Sequence, residues 1–258
     1  LRFKIIFTFI LFLTAQASSQ LCAQQLNIAV ASNFINVMQE LERAFILSKK
    51  LNPQSVRVSY ASSGKLYAQI KQGAPFDVFL SADSDKPQRL IADNLTAGTQ
   101  PYPYAVGRLV LWRSNNNRQI LQTPVTQRTL LNGEYNKLAM ANPKLAPYGL
   151  AALQVLEKLK LERKTKADWV MGENVSQAYQ FVATGNAELG FVALSQVKAS
   201  KQAEEAYWLV PASMHEQIAQ HAVTLKKANN NPLAQAFMLF LSSQTSKTII
   251  ESHGYETD

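Results

Sequence analysis

Short apolar runs alternate along the chain with segments whose apolar positions recur every three or four residues. Leu26–Ala31 reads as a strand, and after it Phe34, Val37, Met38, Leu41 and Phe45 fall on one helical face. Val56–Tyr60 predicts a second strand with a helix near Lys65–Gln72, and Val78–Leu80 a short buried strand with a helix near Lys86–Asp93. Three strand–helix units in succession point to a parallel sheet covered on both faces. Pro101 and Pro103 break this rhythm, and Val106–Trp112 reads as one long strand. A second series follows: a strand at Lys137–Met140, a helix from about Tyr148 to Leu159, a strand at Trp169–Met171, a helix at Val175–Ala183 and a buried strand at Leu189–Ala193. Tyr207–Val210 and Ala222–Leu225 are later strands. Asn231-Pro232 suits a helix start, Asn as the cap and Pro in the first turn, with Leu233, Ala236, Phe237 and Phe240 inward. A polar helix near Gln244–Ser252 closes the chain.

This order predicts an α/β protein of two lobes, each a mainly parallel sheet flanked by helices. Residues 24–103 with 223–258 form lobe I and residues 104–222 lobe II. The crossings near Tyr104–Val106 and His221–Val223 would make a hinge. Ligands of open α/β sheets sit beyond the carboxyl ends of the strands, so the expected site is the cleft between the lobes.

The composition is that of a packed globular protein, with 47% hydrophobic and 17% charged residues among 258. The first 23 residues read as a signal peptide: Arg2 and Lys4 precede the apolar run Ile5–Ala15, and Leu21-Cys22-Ala23 fits a cleavage site. Cleavage there removes Cys22, the only cysteine, leaving no disulfide and no thiol nucleophile. An exported, cysteine-free chain suits the periplasm. The formal charge of +8 comes without a basic run, since Lys49-Lys50 and Lys226-Lys227 are isolated pairs, so no nucleic acid is expected as partner. His215, His221 and His253 lie late in the chain without metal-ligand spacing, and no Gly-rich phosphate loop ending in Gly-Lys-Ser/Thr is present. Neither an enzyme nor a cofactor is expected.

The sharpest chemistry lies where strands meet helices. Ala29-Val30-Ala31-Ser32-Asn33-Phe34 and Tyr60-Ala61-Ser62-Ser63-Gly64-Lys65 each place hydroxyl or amide side chains at the start of a helix. Such a joint offers free backbone N–H groups, the positive end of a helix dipole and a polar side chain, which together bind anions without formal charge. In the second series Ala146-Pro147-Tyr148-Gly149 and Gly172-Glu173-Asn174-Val175 are the matching joints.

Gly73-Ala74-Pro75-Phe76-Asp77-Val78-Phe79-Leu80-Ser81-Ala82-Asp83, the Ala-Ser-Asn start, Ala-Ser-Ser before the second helix, Ala146-Pro147-Tyr148-Gly149, Glu173-Asn174-Val175 and Leu189-Gly190-Phe191-Val192 stand in one order. In these stretches the chain resembles the periplasmic molybdate-binding proteins of ABC transporters, from about Leu26 to Tyr255. The resemblance implies the two-lobe periplasmic-binding-protein fold and an oxyanion site. Ser32 and Ser63 would supply hydroxyl and backbone donors, Asn33 a further donor, and Tyr148 and Val175 backbone N–H groups. Many members carry a Tyr donor soon after the Leu-Gly-x-Val strand, where this chain has Ala193; either Asn33 compensates, as in the subset lacking that Tyr, or the preferred anion differs. Asp77 is expected to be structural. The implied function is capture of molybdate, and of tungstate, by a monomer that delivers it to an inner-membrane permease. Binding of sulfate or another small anion is the alternative, and an enzyme on the same fold a more distant one. Molybdate and tungstate are fully deprotonated near neutral pH and need donors only; phosphate carries a proton and would want a carboxylate, which these positions lack.

Overall fold

The computed structural model describes residues 25–98, 100–114, 124–201 and 203–257; the expected signal peptide over residues 1–23 and the Asn115–Asn117 loop lie outside them. In chain order the first lobe carries β1 (Leu26–Ala31), α1 (Ile35–Lys49), β2 (Val56–Ala61), α2 (Ser63–Lys71), β3 (Val78–Ser81), α3 (Asp85–Ala92) and β4 (Tyr102–Gly107). The second carries β5 (Leu109–Trp112), α4 (Gln127–Asn132), β6 (Leu138–Ala141), α5 (Pro147–Lys158), α6 (Glu162–Thr165), β7 (Trp169–Gly172), α7 (Val175–Ala183), β8 (Leu189–Ala193), α8 (Leu194–Ala199) and β9 (Tyr207–Leu209). The chain returns to the first lobe with β10 (Ile218–Thr224), α9 (Pro232–Leu241) and α10 (Gln244–Ser252).

The two sheets have the same plan. One runs β2-β1-β3-β10-β4 and the other β7-β6-β8-β5-β9. In each, three successive strands are parallel and the fourth is antiparallel to both its neighbours. That antiparallel strand is in each case the one that enters from the other lobe. The sheets are therefore mainly parallel, as expected, with one reversed strand each.

Burial explains which runs were easy to read. The inner strands β3, β6 and β8 are buried throughout, and their sequences are apolar with little alternation. The edge strand β2, Val-Arg-Val-Ser-Tyr-Ala, alternates because one face meets water. Helices cover both faces of the first sheet. Phe34, Phe45, Phe237 and Phe240 pack on one side, and Leu66, Phe79 and Leu90 on the other. Phe45 meets Phe237 edge-on with ring centroids 5.4 Å apart. Each such buried aromatic contributes about 1.5–3 kcal/mol of apolar burial.

The lobe boundaries differ from those expected. Val106–Trp112 is not one strand: β4 ends at Gly107 in the first sheet and β5 begins at Leu109 in the second. The outward crossing is thus at Arg108, whose guanidinium pairs with Glu256 of the first lobe. The return lies between Val210, whose N–H still bonds the Leu109 carbonyl, and Ile218. Sheet membership therefore puts residues 26–107 and 218–257 in one lobe and 109–210 in the other, a few residues from the expected breaks at 103/104 and 222/223. A continuous apolar run gives no local sign that its two halves pair with different sheets.

Candidate functional site

Four helix starts gather at one cavity between the lobes, those after β1 and β2 in the first lobe and those after β6 and β7 in the second. After β1 the chain enters a single tight turn, Ser32–Phe34, that leads into α1. At α2, Ser62 is the cap: its Oγ accepts from the Lys65 N–H at 3.4 Å. Ser63 follows as the first helical residue, and its Oγ accepts from the Ala82 N–H at 2.9 Å. That bond occupies a lone pair and leaves the hydroxyl proton for a ligand.

The second lobe supplies two more helix starts. Pro147 opens α5 and has no N–H, so Tyr148 offers the first amide. Gly149 is required there, because a Cβ at that position would stand 2.3 Å from the Ala141 carbonyl oxygen. At α7 the Asn174 Oδ1 accepts from the N–H groups of Ser176 and Gln177, at 3.0 and 3.1 Å. Val175 N–H, in the first turn, is left without an intrahelical acceptor.

All five residues expected at the site line one cavity: Ser32, Asn33, Ser63, Tyr148 and Val175, with Ala31, Ser62, Ala82, Ala146 and Pro147. The cavity is small and its walls are closely set. Ser63 is fully buried, and Ser32, Asn33, Tyr148 and Val175 are nearly so. The wall contains no Asp, Glu, Lys, Arg or His. Among the described residues no group of His, Cys, Asp or Glu is placed to hold a metal ion. Such a chamber can do one thing well: donate hydrogen bonds to a small anion while excluding water.

The lobes are closed on this chamber. Gly64 N–H donates to the Leu145 carbonyl at 2.9 Å, and the Ser176 hydroxyl donates to the Ser32 carbonyl at 3.0 Å. Outside the chamber Lys65 and Glu173 form an ion pair at 2.8 Å.

Asn33 is placed differently from the expectation that its amide replaces a missing Tyr donor. Its Nδ2 donates to Gln220 Oε1 at 2.9 Å and to the Tyr255 hydroxyl at 3.0 Å, so both side-chain N–H groups are used away from the chamber. What Asn33 has left to donate is its backbone N–H. Behind it Tyr104 donates to Gln220 Oε1 at 2.9 Å, and Tyr255 donates to the Asn33 carbonyl at 2.8 Å. Burial raises the pKa of the Tyr104, Tyr148 and Tyr255 phenols above the ordinary value, with the neighbouring Tyr255 adding to the first two. These phenols are neutral hydrogen-bonding groups at neutral pH.

Ala193, at the end of β8, is fully buried and is not part of the chamber wall; its N–H donates to Gln196 Oε1 at 3.1 Å. Asp77 is structural, as expected. Its Oδ2 accepts from the Asn27 N–H at 2.7 Å at the start of β1, the end of the strand away from the chamber. Sequence reasoning passed over Ser62, although the Ser62-Ser63 doublet pointed to it. It also passed over the buried Tyr104, Gln220 and Tyr255, which no local pattern marks.

Residues 26–256 match the family described as bacterial extracellular solute-binding protein. The chain belongs to this family. Members are transport components and not enzymes. Among its relatives is the molybdate-binding protein ModA of Azotobacter vinelandii, 42% identical over 90% of each chain. The protein of the same name from Rhodobacter capsulatus is 37% identical, over 89% of this chain and 87% of its own. In structure this solute-binding protein is similar to the Azotobacter vinelandii periplasmic molybdate-binding protein, with a TM-score of 0.81 at 34% identity, covering 91% of this chain and all of that one.

Proposed function

We propose that this solute-binding protein captures molybdate, and also tungstate, in the periplasm after loss of its signal peptide, and delivers it as a monomer to an inner-membrane ABC permease. The observation that carries the reading is the chamber itself: donors from four helix starts, two in each lobe, around a space without any acceptor carboxylate or any cation. The relatives named for molybdate binding support the choice of anion.

A dianion loses its hydration on entering such a space, and each of its oxygens must find donors. Hydrogen bonds to charged groups contribute roughly 1.5–3 kcal/mol each. The hydroxyls of Ser32 and Ser63 and the amides of Asn33, Ser63, Tyr148 and Val175 form the donor set of this reading. About six such bonds suffice for a Kd near 1 μM, about −8 kcal/mol. A wall of neutral donors favours an anion that is fully deprotonated at neutral pH, and disfavours phosphate, whose proton has no acceptor here. Closure around the anion marks the loaded state for the permease.

Titration calorimetry with molybdate, tungstate, sulfate and phosphate tests this. The expected result is tight binding of the first two and weak or no binding of the others. Tight sulfate binding with no response to molybdate would overturn the assignment.

A further inference from the structure

Two serines of the second lobe reach across the cleft to the backbone of the first without touching the chamber. Ser176, in the first turn of α7, donates its hydroxyl to the Ser32 carbonyl at 3.0 Å. Ser195, in the first turn of α8, donates to the Asn33 carbonyl at 3.1 Å and lies 3.0 Å from the Tyr255 hydroxyl. Neither serine lines the chamber, whereas Ser32 and Asn33 both do.

The Ser176 hydroxyl is aimed by its neighbours. Ala193 N–H donates to Gln196 Oε1, Gln196 Nε2 donates to Ser176 Oγ at 3.1 Å, and Ser176 sends its single proton to Ser32. The relay begins at the last residue of β8. On the first-lobe side Tyr255 donates to the same Asn33 carbonyl that Ser195 reaches.

We propose that Ser176 and Ser195 are positioning residues: a clasp that forms only when the lobes close, holds the anion by holding the closed state, and strengthens a donor of the chamber. The Ser32 carbonyl and the Asn33 N–H belong to one peptide group. A hydrogen bond accepted at that oxygen polarises the group and makes its N–H a better donor, the cooperativity of hydrogen-bond chains. A second-lobe hydroxyl thereby tunes a first-lobe amide at the moment of closure. Because both bonds span the lobes, they are absent from the open state. Their loss therefore acts on release and not on encounter.

The inference rests on the oxyanion reading above. The test uses the full mature chain with a fluorescent dye pair on exposed Gln72 and Asn186, one per lobe, as wild type, Ser176→Ala, Ser195→Ala, the double variant and Ser176→Thr. Molybdate is the probe, followed by stopped-flow kinetics and single-molecule energy transfer. For the loss of one ordinary hydrogen bond the dissociation rate should rise about 3- to 10-fold in each Ala variant, and by about the product in the double variant. Association should stay within about 2-fold and the ligand-free melting temperature should not move, while Ser176→Thr keeps the wild-type rate. An unchanged dissociation rate in the double variant, or a loss carried by slower association, would overturn the clasp. If the wild type fails to close with molybdate, the reading of the anion fails. The clasp is then judged on the ligand-free closed population, which the double variant must lower and which overturns the proposal if it stays the same.

Discussion

The Gly64 amide donates across the cleft to the Leu145 carbonyl at 2.9 Å, and a Cβ on Gly64 would stand 2.8 Å from that same oxygen. The glycine brings the two backbones into direct contact, and it lies in the first turn of α2 beside Ser63. Gly64→Ala should therefore separate folding from closure. Alanine favours the helix by up to about 1 kcal/mol, so the ligand-free protein should melt no lower than wild type. Forcing the added methyl against a backbone oxygen costs about 1–3 kcal/mol in the closed state, so molybdate affinity should fall about 5- to 150-fold. Calorimetry and a thermal melt on the same sample check both halves; unchanged affinity would show that the lobes close without this contact.

Ser63 has two tasks, and its removal should register in two measurements. Its Oγ accepts from Ala82 N–H, and on the proposed reading its proton goes to the anion. Ser63→Ala should weaken anion binding by about 10- to 150-fold, the loss of one charge-assisted bond of about 1.5–3 kcal/mol. It also leaves the Ala82 N–H buried without its acceptor, which should lower ligand-free stability by about 1–3 kcal/mol in a urea titration. Full retention of affinity would remove Ser63 from the site.

Tyr148 should behave in the opposite way. On the proposed reading its amide is the group offered to the anion, while its hydroxyl is buried beside the Tyr255 hydroxyl. Tyr148→Phe should leave molybdate affinity within about 3-fold, since the amide is kept, and should lower stability by no more than about 0.5–1.5 kcal/mol, the contribution of one hydrogen bond. A large fall in affinity would mean that the phenol, and not the backbone, serves the ligand.

The Lys65–Glu173 ion pair also spans the lobes, at 2.8 Å, but both side chains are about half exposed, at 47% and 54%. Solvent screening limits such pairs to a small contribution. Lys65→Ala should change affinity by less than about 3-fold, and the difference should vanish in about 0.5 M salt, where the screening length is only a few ångströms. A larger, salt-resistant effect would give this pair a role in closure that its exposure argues against.

The tyrosine cluster behind Asn33 sets a pH limit on stability. Burial raises the phenol pKa values of Tyr104, Tyr148 and Tyr255. In the unfolded chain these groups ionise near pH ~10, so above that pH the unfolded state releases protons that the folded state keeps. The stabilisation is complete below about pH 9 and is lost as pH rises through 10 and beyond. Denaturant titrations at a series of alkaline pH values should show stability falling above about pH 10, and Tyr104→Phe should make that fall shallower. A wild-type profile that stays level through this range would contradict the buried cluster.

Much of this molecule could be read from the chain itself, and the reason is local. The inner strands are continuous apolar runs because both their faces are covered. The helix starts announce themselves through Ser62, Asn174, Pro147 and Asn231, whose side chains or rings satisfy or remove the first amides of a helix. Since the chamber is built from those starts, its wall residues were legible with them.

What the chain alone left undecided depends on partners far away in sequence. The break at Arg108 between two sheets cannot be seen in a run of apolar residues, because sheet membership is a choice among distant strands. The use of the Asn33 amide on Gln220 and Tyr255, 187 and 222 residues away, follows from the packing of the returning chain and not from any neighbour of Asn33. The same holds for Ser176 and Ser195, which read as ordinary first-turn serines until the second lobe is laid on the first. Short-range sterics and capping determine where strands and helices begin; only the folded arrangement of the two lobes decides which donors face the anion and which hold the lobes together.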